Sequence, residues 1–75
     1  MIDATTPNWK PLEMFLGDRA CLAPDFMWMY RNGGFEYYKH RATRAYLILD
    51  SAGNPRSPSD DRRLAFRAVT GETLL

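Results

Sequence analysis

Cys21 and His40 are the chain's one combination of a thiol nucleophile with an imidazole base, among 75 residues that hold a single cysteine and a single histidine. Such a pair works only when the base lies within hydrogen-bond reach and a third group orients it. Nineteen positions separate the two. Nothing in the sequence marks a helper, so we expect Cys21 to be a small buried apolar residue and the protein not to be an enzyme. One thiol and one imidazole also fall short of the four ligands of a structural zinc site. Asp18, Asp25, Asp50, Asp60 and Asp61 make no calcium-loop spacing. No metal and no cofactor are therefore expected. Gly33-Gly34 could hint at a phosphate-cradling loop, but such loops join a strand to a helix N-terminus, whereas here β-favouring residues lie on both sides.

More chemistry is concentrated in Tyr37, Tyr38, Lys39, His40, Arg41 and Arg44. Rings beside cations hold single-stranded bases at roughly 1 to 3 kcal/mol per base, and the cations alone can grip a phosphate or carboxylate. These six residues are the candidate anion or nucleic-acid patch. Charge is uneven along the chain: residues 1–30 hold four acids against two bases, while residues 31–44 hold four bases against Glu36 alone. The whole carries only +1, unlike the strongly basic balance of a dedicated nucleic-acid binder. In so short a chain the rings are also the main source of buried area, which competes with any binding role. Met27 and Met29 beside Tyr38 suggest instead an adaptable apolar surface for a protein partner.

The elements that must carry these residues can be read in order. Residues 1–8 contain Pro7 and no periodicity, and are expected to be a flexible lead-in whose Asn8 caps the first helix. Pro11 suits a first helical turn, Leu12, Phe15 and Leu16 share one face, and Gly17 is a stop, which predicts a short helix. Asp18–Pro24 is a connector. Phe26–Arg31 and Phe35–His40 read as the two strands of a hairpin turned at Asn32-Gly33-Gly34. A two-residue turn puts Phe26, Trp28 and Tyr30 on one face with Phe35, Tyr37 and Lys39, and polarity makes that face the expected core. A three-residue turn would place Trp28 and Tyr30 beside Glu36, Tyr38 and His40.

Arg44–Asp50 reads as a third strand that is apolar on both sides, ended by the turn-forming run Ser51-Ala52-Gly53-Asn54-Pro55. Ser57-Pro58 and Asp60-Asp61 suit a helix start, and Leu64, Ala65, Ala68 and Val69 form a stripe that leaves Phe66 outside and ends at Gly71. Alternation over the same residues supports a fourth strand as the competing interpretation. Leu74 and Leu75 could dock on the domain or on a neighbour.

These elements make an α+β fold: a short N-terminal helix, a three-stranded antiparallel sheet built on a hairpin, and a C-terminal helix or fourth strand. Residues 9–75 form one small domain. At this size folding removes only roughly 60% of the unfolded chain's surface, so the core is thin. Disulfide and zinc being excluded, association is the remaining way to strengthen it. We expect a cytoplasmic protein-interaction module or assembly subunit whose partner is a second copy or another protein. Nucleic-acid binding is the alternative. No apolar run is long enough to cross a membrane.

Overall fold

A computed structural model describes residues 6–73. Of the expected lead-in over residues 1–8, residues 1–5 lie outside the described residues, as does the docking of Leu74 and Leu75. Thr6 and Asn8 are tied to the sheet instead, their carbonyls accepting from Arg31 and Tyr38, and the cap position of the first helix falls on Trp9 rather than Asn8, whose Oδ1 accepts the Lys10 N–H at 3.2 Å. In chain order come α1 (Lys10–Leu16), a 3-10 segment (Gly17–Asp25), β1 (Phe26–Asn32), β2 (Phe35–His40), β3 (Tyr46–Leu49), β4 (Pro55–Ser57) and α2 (Arg62–Thr70). The sheet is an antiparallel meander in the order β1-β2-β3-β4. It therefore has four strands, not three. The extra strand is the proline-containing run after the Ser51–Asn54 turn, too short and too irregular to show a period. Residues 62–70 take the helical alternative, because the Asp61 carboxylate accepts from the backbone N–H groups of Arg63 and Leu64 and Gly71 ends the helix with a left-handed φ of 79°.

One side of the sheet carries both helices. The core joins Leu12, Phe15 and Leu16 of α1 to Phe26, Tyr38, Leu47 and Leu49 of the sheet and to Ala65, Phe66 and Val69 of α2. Phe15 and Phe66 lie 6.5 Å apart between ring centres. Burying a side chain of this kind stabilises the fold by roughly 1.5–3 kcal/mol. The apolar stripe of α2 is thus rotated from the expected one: Phe66 points inward while Leu64 is 60% exposed and Ala68 faces solvent. Turning Phe66 inward places its ring against Phe15 of α1.

Polar ties fix the helices to the sheet. Arg62 at the start of α2 donates to the carbonyls of Phe15 and Leu16, at 2.7 and 3.2 Å, and so serves the open C-terminal carbonyls of α1. The Thr43 hydroxyl, in the turn after β2, donates to the Val69 carbonyl near the end of α2. Asp50 closes the β3–β4 turn by accepting from the backbone N–H groups of Ala52 and Asn54, both at 2.9 Å. These backbone bonds, with the side chain of Asn54 and the charge of Arg56 behind them, hold the Asp50 carboxyl below its ordinary range. Gly53 at the tip of that turn is buried against α1 with φ 83°.

A bulge in the hairpin decides which residues face the helices. The turn is the two-residue Gly33-Gly34, since Asn32 pairs with Phe35, and on this side of the bulge Tyr30 faces Tyr37. Between Trp28 and Tyr30 the register slips by one residue at Met29, so Trp28 pairs with Tyr38 and Phe26 with His40. Neither sequence register is correct over its whole length. The expected core face, Phe26, Trp28 and Tyr30 with Phe35, Tyr37 and Lys39, is split. Phe26 and Trp28 turn toward the helices, while Tyr30, Phe35, Tyr37 and Lys39 take the opposite side.

Glu36, Tyr38 and His40 are buried in place of the expected residues. Polarity did not exclude them because each finds a partner. The Glu36 carboxylate accepts from the Trp28 indole N–H at 2.7 Å and from Arg31 Nε at 2.5 Å. The Tyr38 hydroxyl donates to the Asn8 carbonyl, and His40 Nδ1 accepts the Thr43 backbone N–H at 3.2 Å. Burial, reinforced by the Glu36 charge, pushes the Tyr38 hydroxyl pKa far above the usual tyrosine value.

Candidate interaction surface: the open face of the sheet

With both helices on one side, the other side of the sheet is left open. The strand registers arrange it in rows. Met27, Lys39 and Tyr46 form one, and Tyr30, Tyr37, Ile48 and Ser57 the next. Phe35 stands at the hairpin end with the Arg56 guanidinium 5.6 Å from its ring centre. Tyr30 and Tyr46 are 45% and 40% exposed, and Phe35, Tyr37 and Ile48 are partly so. The strands force this arrangement because alternate side chains must point to opposite faces, and β1 to β3 carry apolar residues at both sets of positions.

One face of each ring on this surface is already engaged. Tyr30 and Tyr37 stack on each other at 4.3 Å between centres and 15° between planes. The Lys39 ammonium sits 5.6 Å from the Tyr46 ring centre, and Arg56 covers Phe35. Lys39 and Phe35 stand four residues apart on β2, so the two cations lie roughly 13 Å apart along the strand direction, at opposite margins of the face. The surface is preorganised: rigid, rich in tyrosine, apolar in the middle and cationic at two ends.

The six residues picked from the sequence do not form one patch. Tyr37 and Lys39 are on the open face, and Tyr38 and His40 are buried under the helices. Arg41, past the end of β2, is tied to the 3-10 segment through Nε to the Pro24 carbonyl at 3.1 Å. Arg44 is exposed in the β2–β3 turn with φ 63°, a left-handed conformation unusual for a side chain of its size. Alternation along β2 separates neighbours in sequence to opposite faces, so a run of adjacent residues on a strand was the wrong unit to select. Tyr30, Phe35, Tyr46, Ile48 and Arg56 were missed as site residues. Positions spaced by two on adjacent strands would have found most of them once the bulge was known.

Cys21 is exposed on the 3-10 segment, contrary to its expected burial, because that segment turns only Leu22 and Ala23 toward the core. The His40 ring packs edge-on against Phe26 at 5.0 Å and is held by Thr43. Among the described residues no three His, Cys, Asp or Glu side chains gather as metal ligands would. No protein-family model matches the chain, nor does any curated protein or solved structure.

Proposed function

We propose that the protein is a self-associating interaction module in which two copies pack through their open sheet faces. The observation that carries this is the one-sided placement of the helices, which leaves Tyr30, Phe35, Tyr37, Tyr46 and Ile48 uncovered on a single rigid surface. Tyrosine, phenylalanine, methionine and arginine are the residues that protein interfaces concentrate, with charge kept to the rim. Lys39 and Arg56 already occupy the margins.

Strands of seven, six, four and three residues, at about 3.3 Å per residue and about 4.8 Å spacing, give each copy on the order of 300 Å² of sheet face to contribute. A pair would bury on the order of 600 Å² through the sheet faces, the size of a weak and transient contact, so the affinity belongs at the high-micromolar end. The second copy fits because the middle of the surface is uncharged and can match itself about a two-fold axis, while Lys39, on the Tyr46 ring, and Arg56, between the Phe35 ring and Asp50, stay at the margins.

One observation favours a nucleic-acid platform, namely the cations interleaved with rings. Base stacking, however, needs free ring faces, and here Tyr30 and Tyr37 each spend one face on the other while Lys39 and Arg56 take one face of Tyr46 and of Phe35.

Light scattering between about 10 and 500 µM protein tests the proposal, since a micromolar dimer changes its mass across that span. The mass should rise from the 8.7 kDa of one chain towards twice that value, and the rise should survive added salt. Tyr46→Lys, which adds a further cation from each copy to the contact, should keep the protein monomeric without unfolding it. A single-chain mass at every concentration would overturn the proposal. So would a salt-sensitive complex with a single-stranded oligonucleotide that is lost when Lys39 and Arg56 are both changed to alanine, which assigns the face to phosphate binding.

A further inference from the structure

Away from the open face, where α1 and the 3-10 segment meet the start of β1, the surface folds into a cleft of about 390 Å³ lined by Trp9, Glu13, Ala23, Pro24, Phe26 and Arg41. Phe26, almost fully buried, forms the floor, and Trp9, with its ring 5.8 Å from that of Tyr38, forms one wall. The walls carry two opposite charges that do not meet. The ion pairs among the described residues are Arg31–Glu36 and Arg56–Asp50, and neither Glu13 nor Arg41 takes part in one.

Arg41 is held in place rather than free to swing away. Its backbone N–H donates to the Asp25 carbonyl at 2.8 Å and its Nε to the Pro24 carbonyl, which leaves the two terminal guanidinium nitrogens for another acceptor. Glu13, on α1, makes no side-chain hydrogen bond among the described residues. An apolar cleft whose lining includes an anchored, half-used guanidinium and an unpartnered carboxylate, both exposed to solvent, offers each sign of charge a partner. An anion gains Arg41 and is repelled by Glu13, and a cation meets the reverse.

We propose that this cleft binds a small zwitterion with an apolar body, an α-amino acid in chemical class. The ligand carboxylate takes the free edge of the Arg41 guanidinium, its ammonium takes Glu13 and the adjoining face of Trp9, and its side chain lies against Ala23 and Pro24. The volume supports a ligand of that size, since pockets for drug-sized molecules extend to about 1,000 Å³ and this one lies near the bottom of their range.

Titration of the whole protein with L-phenylalanine, 3-phenylpropionate and phenethylamine, monitored by two-dimensional amide NMR, tests the proposal. Phenylalanine should give saturable shifts of the Trp9 indole and of the Glu13, Ala23 and Arg41 amides, with a Kd on the order of 1 mM. The two ligands that lack one charge should bind about fivefold more weakly, the scale of a partly exposed ion pair. Glu13→Gln, at an exposed and unpartnered position, should bring phenylpropionate level with phenylalanine, and Arg41→Gln should do the same for phenethylamine. Arg41→Lys, which keeps the charge and loses the fork, should retain the preference at lower affinity, and it stands in if Arg41→Gln fails to fold.

No saturable shift below about 20 mM phenylalanine, a ligand ranking unchanged by Glu13→Gln, or shifts that map elsewhere would each overturn the proposal. The monomeric Tyr46→Lys protein should bind phenylalanine as the parent does, so this test stands or falls apart from that of self-association.

Discussion

Alanine at position 53 should be far more damaging than alanine at position 34, although both glycines have φ 83°. The shared conformation costs a side chain roughly 1–2 kcal/mol at either site, so it cancels when the two variants are compared. What differs is the space. A Cβ at Gly34 meets nothing within 4 Å, whereas at Gly53 it would stand 2.8 Å from the Met14 Cβ, 2.8 Å from the Pro11 carbonyl oxygen and 3.2 Å from the Phe15 nitrogen. Comfortable separations are about 3.5–4.0 Å, and two of these three neighbours are helix backbone that cannot rotate away.

Relief requires the β3–β4 turn to lift off α1, an overpacking cost of about 1–3 kcal/mol beyond the conformational one. Against a total stability on the order of 4–11 kcal/mol for a chain of this length, Gly53→Ala, at about 2–5 kcal/mol in all, should remove about a fifth of it or more. Urea unfolding of both variants and the parent gives the comparison, with Gly53→Ala about 2 kcal/mol below Gly34→Ala, or about 8–16 °C in Tm. Equal costs within about 0.5 kcal/mol would refute the close seating of this turn on α1.

Arg31→Ala should cost about 2–3 kcal/mol in urea unfolding, because it leaves the Glu36 carboxylate, whose side chain is 5% exposed, with the Trp28 indole as its remaining side-chain donor; a loss under 1 kcal/mol would show that the pair is not needed. Tyr38→Phe should cost about 1 kcal/mol at neutral pH by leaving the Asn8 carbonyl unpaired. Since the Tyr38 pKa is raised in the fold, its stabilising contribution is complete below the unfolded value near 10 and is lost as pH rises further, so the phenylalanine variant should show a shallower alkaline decline. Asp50 behaves in the opposite sense. Its lowered pKa gives stability that is present above the unfolded value near 4 and is lost as pH falls through the folded one, so Asp50→Asn should flatten the acid limb of a melting profile.

Much of this fold is legible in the residues because local signals agree with the tertiary structure. Pro11, the Leu12–Phe15–Leu16 spacing and Gly17 give α1, and Gly33-Gly34 gives a two-residue turn. The faces of the sheet were not legible, and the cause is Met29. A bulge adds one residue without any glycine or proline to mark it, and Phe26–Tyr30 is apolar at every position, so no polar residue reveals where the alternation slips. Burial of Glu36 and Tyr38 depends on partners as distant in sequence as Asn8, which no local pattern contains. The candidate surface inherits that error. Its individual residue types were visible in the sequence, but their companionship required the register.

The surplus residue at Met29 also bears on how many copies can join. It sits in an outer strand, where a regular ladder of free amides and carbonyls would let further chains add one after another. By breaking that ladder in mid-strand, the slip removes the template for open-ended stacking and leaves the flat aromatic side as the surface for contact. The pairing proposed above would spend the same patch on both partners and so close at two copies, rather than run on into filaments.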